Sequence, residues 1–334
     1  GARHAAKTIK ARLAGKPEPG EFRYFDKGSM ATISRFSAVA SVGKLKLTGF
    51  VAWLMWLAVH LVYITGFKNQ VTTVLRWAVT FVSNDLKHEV EAWLVKPVGL
   101  TATSSHPLIV NIHGGPHGVQ GPAFNLQNQV YAGLGWAVLM VNYRGSVGYG
   151  QAWADAVFRD QNGDEAQDVL YGVNAAIRRY TWVDRNRLGV EGGSYGGQLS
   201  AWLVATTNIF KAAIPRWPII NLVSYNYMTY YPMYEEMEFG AKVHTADWLD
   251  ELWRRSSLRY VNGVKTPTML MHGENDNDVP IAEAEQLYVA LHDVGVKTEL
   301  VRYPREGHGL RETSHVVDAL ERSIAWYTQH FASR

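Results

Sequence analysis

The chain has 334 residues, 47% of them hydrophobic and 19% charged, a balance that fits a folded globular protein and excludes an intrinsically disordered one. Its 33 basic and 30 acidic side chains leave a net charge of +3, which gives no ground for a nucleic-acid partner, and none is expected. Cysteine is absent, which rules out disulfides, thiolate nucleophiles and cysteine-bound zinc.

The first stretch of about 80 residues does not read like the rest. Residues 49–67, "GFVAWLMWLAVHLVYITGF", hold no Asp, Glu, Lys or Arg and are flanked by Lys44, Lys46, Lys68 and Arg76. About 20 apolar residues span a bilayer, and Trp, Tyr and terminal cations suit its interfaces. A membrane-associated helix is therefore expected within an N-terminal extension over residues 1–77, with His60 favouring a buried or interfacial helix over a span. Together, "FRYFDKGSMATISRFSAV" and "GKLKLTGFVAWLMWLAVHLVYITGF" resemble the C-terminal membrane tail of type II NADH dehydrogenases over residues 15–80. No G-x-G-x-x-G follows a predicted strand, so this part implies an anchor without flavin chemistry, and the join near residues 77–85 reads as a cloning or assembly chimera or as a truncated gene.

From residue 78 short apolar runs alternate with helical periods. "AVTFVS" (78–83) and "EVEAWLVKP" (89–97) read as antiparallel strands, and "PLIVNIH" (107–113) and "WAVLMVNY" (136–143) as buried parallel ones. Residues 164–180 have helical spacing, with acids in the first turn and arginines in the last. Further on, "RLGVEGG", "KAAIP", "TPTMLMHG" and "KTELVRY" read as strands, and 194–207, 281–294 and 313–331 as helices. Such βα alternation predicts an α/β class chain with a mostly parallel, doubly wound sheet over residues 78–334. Residues 218–255 interrupt it as a cap-like excursion.

Within "VEGGSYGGQLSA" (190–201), Ser194 stands in a G-x-S-x-G pattern between a strand and a helix. Glycines on both sides allow the sharp turn that lifts a serine hydroxyl above a sheet and aims a helix N-terminus at it. A serine needs a base to take its proton and an acid to orient that base. His308 follows the last predicted strand, and either Asp276 or Asp278 follows the strand before it. "NIHGGPHG" (111–118) exposes backbone N–H groups for a developing oxyanion, and the N–H of Tyr195 is the second expected donor. His113 and His117 are separated by Gly114, Gly115 and Pro116, which excludes a helical zinc pair, and no metal or organic cofactor is expected. His272 reads as a packing or hydrogen-bonding residue.

The motifs "NIHGGPHG", "NYRGSVGYGQAW", "GGSYGG", "HGENDNDVP" and "YPREGHG" resemble the catalytic domain of the prolyl oligopeptidase (S9) family, nearest its acylaminoacyl-peptidase branch. The resemblance implies an α/β-hydrolase fold, Ser194 as nucleophile, Asp276 as acid, His308 as base, and the Gly115 and Tyr195 N–H groups in the oxyanion hole. Arg144 would be structural. The family's β-propeller has no counterpart in this sequence. An open site lined by His113, Trp217, Tyr227, Tyr230 and Tyr231 is expected, with Glu235, Glu236 and Glu238 on a solvated acidic face. The resulting expectation is a serine hydrolase for small acyl esters, with S9-type peptidase activity on short peptides as the alternative. It would act in the cytoplasm or at a membrane of a bacterial cell, with a homo-oligomer contact through the apolar N-terminal segment.

Overall fold

The computed structural model describes residues 29–34, 37–42, 45–63 and 78–332. The chain divides into two compact units, Gly1–Val71 and Thr72–Arg334.

In the first unit, β1 (Ser29–Ser34), β2 (Ser37–Val42) and β3 (Leu45–Thr48) form an antiparallel sheet in that order, and α1 (Gly49–Tyr63) follows directly. Ala38, Ala40 and Ala52 are buried where small residues let helix and sheet approach, with Leu47, Trp53 and Trp56 packed around them. This sheet was not legible in the sequence, where the apolar run dominated the reading. At 15 residues, α1 rises about 22 Å, short of a hydrocarbon core of about 30 Å. Among the described residues no helix is long and apolar enough to cross a membrane. Residues 64–67 of the apolar run lie outside the described residues.

The second unit is built on an eight-stranded sheet. Its strands are β4 (Ala78–Val82), β5 (Glu89–Val95), β6 (His106–Ile112), β7 (Ala137–Val141), β8 (Val183–Gly193), β9 (Ala212–Arg216), β10 (Thr268–Gly273) and β11 (Thr298–Tyr303). They lie in the order β11-β10-β9-β8-β6-β7-β5-β4. The six strands from β11 to β7 pair in parallel, while β5 runs antiparallel to both β7 and β4. All five residues of β7 are buried, as a strand covered on both faces requires.

One face carries α4 (Asp164–Arg179) and α5 (Tyr195–Thr206) over Val110, Leu139, Val141 and Val190; the other carries α2 (Leu126–Gly133) and α10 (Thr313–Ala332) over Ile109, Met140 and Ile214. A short α3 (Gln151–Asp155) precedes α4. Helix α9 (Ala282–Asp293) joins β10 to β11. The excursion contains α6 (Leu222–Met228), α7 (Tyr234–Phe239) and α8 (Ala246–Arg254), gathered around Ile219, Tyr225, Phe239, Leu252 and Val279. Val279 belongs to the loop after β10, so the excursion rests on the loop that bears the candidate acid. Two hydrogen bonds hold it there: Tyr230 N–H donates to Asn277 O at 2.9 Å, and the Thr229 hydroxyl to Asp278 O at 2.8 Å.

Arg144 is almost fully buried. It donates to both oxygens of Asp168 (3.0 and 2.8 Å) and to Asp164 (2.8 Å), tying the end of β7 to α4. A buried guanidinium satisfied this way is structural.

Candidate active site

Ser194 lies between the last residue of β8 and the first of α5 with φ 61° and ψ −123°, a positive φ that a side chain tolerates only where its surroundings impose it. Its N–H donates to Arg216 O at 3.1 Å, which anchors the turn to β9. A Cβ at Gly196 would run into the Ile112 carbonyl, so the helix can start this close to β6 only with glycine there. The hydroxyl consequently stands at the carboxyl end of the sheet, above the first turn of α5, where the Tyr195 N–H has no intrahelical acceptor.

Two further loops meet it. His308 Nε2 is 2.9 Å from Ser194 Oγ, and His308 Nδ1 is 2.8 Å from Asp276 Oδ2. The other oxygen of Asp276, Oδ1, accepts the N–H groups of Asp278 and Val279, both at 2.9 Å. Asp278, the alternative acid, lies 3.6 Å from Nε2, on the side of the ring that faces the serine, and does not reach Nδ1. Burial works against an ionised Asp276, but the neighbouring His272 imidazole and the hydrogen bonds from His308 and Val279 hold its carboxyl down at about 2. Burial also works against a charged His308, yet the Asp276 hydrogen bond and charge, helped by Asp278, leave it raised.

The acid and base loops are stitched together. Asn275 N–H donates to Glu306 O at 2.8 Å, and a Cβ at Gly273 would collide with the carbonyls of Glu306 and Gly307. Glu306, only 3% exposed, accepts the N–H groups of Arg311 (2.9 Å) and Glu312 (2.8 Å) and a bond from His315 (2.9 Å). It thus pins both arms of the turn around His308. Sequence reasoning missed it, because a glutamate in a loop gives no sign that it folds inward.

The "NIHGGPHG" turn sits against the serine. A Cβ placed on Gly114 would lie 2.9 Å from Gly193 O and 3.3 Å from Ser194 Cβ, and Gly115, with φ 141°, turns the chain beside it. His113, expected to line the site, is instead buried beneath this turn. Its ring stacks on Tyr143 at 4.2 Å, bonds Gly114 O and Ser146 Oγ at 2.9 Å each, and is pulled down to about 4 by burial. A neutral ring whose nitrogens are both engaged holds the turn in shape.

Trp217 stands edge-on to His308, with ring centres 6.2 Å apart. It helps line a cavity of about 370 Å³ with Leu310, Val316 and Leu320. Tyr227, Tyr230 and Tyr231 are exposed on the excursion. The expected acidic face is corrected in part. Glu235 is fully buried, with neither carboxyl oxygen hydrogen-bonded, and burial with the nearby Glu238 and Glu283 charges raises it well above the usual range. It shares a helix face with the buried Phe239, four residues on, which carries it inward. Glu238 lies 3.5 Å from His117 Nε2. Below the serine, the Tyr195 hydroxyl donates to Glu165 at 2.8 Å, and burial pushes that carboxyl up to about 7.

Comparison with known proteins agrees with this geometry. Over 247 residues, 72% of this chain and 37% of its relative, the sequence is 40% identical to the uncharacterized peptidase YuxL of Bacillus subtilis. It is 32% identical to the acylamino-acid-releasing enzyme of Mus musculus over 250 residues, 73% of this chain and 34% of that protein. The crystal structure of puromycin hydrolase superposes with a TM-score of 0.72 and 26% identity, covering 78% of this chain and 40% of that one. The chain spans about a third of the length of these curated relatives. A separate 86-residue stretch, 25% of this chain, is 59% identical to the type II NADH:quinone oxidoreductase Ndh of Mycobacterium tuberculosis, of which it covers 18%. The chain is therefore similar in part to each of two different proteins. Residues 122–334 match the prolyl oligopeptidase family, peptidase family S9, and to that family the chain belongs.

Proposed function

We propose that residues 78–334 form the catalytic domain of a serine peptidase that cleaves short peptides through an acyl-enzyme, and that residues 1–77 are an extension without a part in the chemistry. The observation that carries this reading is the continuous line from Asp276 through His308 Nδ1 and Nε2 to Ser194 Oγ, with bonds of 2.8 and 2.9 Å. Ser194 Oγ attacks the substrate carbonyl as His308 Nε2 takes its proton. Asp276 fixes the tautomer and stabilises the imidazolium. The N–H groups of Tyr195 and Gly115 receive the oxyanion, each worth about 3 kcal/mol of barrier. His308 returns the proton to the leaving amine, then activates the water that frees the acyl group. Its raised pKa places the acid limb of the rate profile above the ordinary histidine value of about 6.5.

Similarity to peptidases supports amides as the substrates. The same three groups would hydrolyse carboxylic esters, and the exposed rings of Tyr227 and Tyr230 favour aryl esters as a second reading. The test compares the purified protein with Ser194→Ala on peptide p-nitroanilides and p-nitrophenyl esters. Anilide turnover that falls at least about 10⁴-fold in the variant supports the peptidase. Ester turnover with inert anilides would replace it with the esterase, and activity retained in Ser194→Ala would overturn both. The exposed Phe50, Val51 and Leu54 of α1 support contact with a membrane surface, to be checked by cosedimentation with anionic vesicles.

A further inference from the structure

The opposite end of the sheet carries the larger opening. A cavity of about 830 Å³ lies where β9 and β10 begin and where α4, α5 and α10 end. Leu188 on its floor is six residues before Ser194 along one extended strand, about 20 Å from the catalytic end. The lining divides into two kinds of surface. Its floor is apolar, with Ile177, Leu188, Ile209 and Phe210. Its rim is cationic, with Arg178, Arg185, Lys211 and Lys265, and no Asp or Glu lines it. All four cations are exposed, and none forms a salt bridge among the described residues. Several other exposed or half-buried arginines of this unit are matched: Arg187 with Asp184, Arg254 with Glu251, Arg302 with Glu274 and Glu285.

Part of this charge answers the helix dipoles. Three helix C-termini point to this end, each carrying about half a negative charge. Together they offset about one and a half of the four cations, so most of the positive charge is unmatched in a protein whose net charge is only +3. A second observation is independent of the rim. His330, near the end of α10, lines the same cavity at 8% exposure, and its buried Nε2 has no hydrogen-bond partner.

We propose that this cavity is a second ligand site, for a small organic phosphate with an apolar or aromatic body and at least two negative charges, such as a nucleoside di- or triphosphate. Two guanidinium groups fit phosphate oxygens through paired N–H donors, and two ammonium groups add charge from the β9 and β10 side. The apolar floor accepts the organic body, and the volume is that of a site for a ligand of this size. The hydrolytic site at the other end takes no part.

Calorimetry on the full chain at low salt tests the site, with ATP as the probe, tripolyphosphate as the charge without a body, and citrate as a polycarboxylate. The expected result is binding of ATP that salt weakens, with both other anions binding more weakly. Lys211→Glu with Lys265→Glu should weaken ATP binding by about tenfold or more. Both lysines are exposed, so thermal unfolding should stay near that of the parent. If it does not, Lys211→Gln with Lys265→Gln takes its place. The proposal is overturned if ATP gives no binding, if the lysine variant binds it as well as the parent, or if tripolyphosphate or citrate matches ATP.

Discussion

The loops after β10 and β11 carry the acid and the base of Ser194, and the excursion over residues 218–255 rests on the first of them, but they are built to different standards. In the loops every polar group that matters has a partner. Asp276 accepts three hydrogen bonds, Glu306 accepts three, and Asn275 ties one loop to the other. The excursion leaves the Glu235 carboxyl buried without a hydrogen bond and presents Tyr227 and Tyr230 to solvent. Proton transfer needs atoms held to fractions of an ångström, whereas a surface that selects substrates needs shape and can be more loosely secured.

The sharpest way to break this contrast is Asp276→Asn, which keeps the volume but favours the wrong tautomer of His308. We expect kcat to drop by about 10⁴-fold. Asp278→Asn, by contrast, should keep kcat within about tenfold of the parent, because Asp278 does not reach Nδ1, and should move the acid limb of the pH–rate profile to lower pH by removing a charge that raises His308. Comparable losses from both variants would refute the assignment of the acid. Next in size is Glu306→Ala, which orphans two backbone N–H groups. It should cost about 2–3 kcal/mol in denaturant unfolding and about 10²-fold in kcat, with Glu306→Gln recovering part of both. On the excursion, Tyr227→Ala should raise KM by roughly threefold while leaving kcat nearly unchanged. Loss of kcat there would make the excursion part of the machinery.

The smallest effect is the most diagnostic of loose construction. Glu235 has a raised folded-state pKa, so its contribution to stability is complete below the unfolded-state value of about 4.3 and is lost as pH rises toward the folded value. Glu235→Gln does not titrate. Its melting temperature should gain on that of the parent as pH rises from 5 to 9, and parallel curves would mean that Glu235 is ionised and compensated in the folded protein.

Much of this was legible in the chain. Unbroken apolar runs located β6, β7 and β10 to within a residue or two, because a strand buried on both faces cannot hide its composition. Residues 164–180 announced α4 through its charged ends. The serine elbow was legible because steric exclusion leaves glycine no substitute around Ser194. Asp276 and Asp278 could not be separated by spacing alone, since the choice depends on which carboxylate reaches Nδ1 in three dimensions. The sheet of β1–β3 was missed because an apolar helix outweighed short strands of small and polar residues. Glu235 and Glu306 were misjudged or overlooked for one reason. The burial of a charged side chain is decided by tertiary surroundings that leave no periodic trace.

The bond from Asn275 to Glu306 and the bare Gly273 beneath it carry a consequence for inheritance and for design. Residues 273–280 and 303–312 are remote in sequence, yet neither can change length or path without displacing the other. They must therefore be transplanted, recombined or diversified as a single cassette. Shuffling that places a crossover between them should yield folded proteins with silent active sites, even when every catalytic residue is retained.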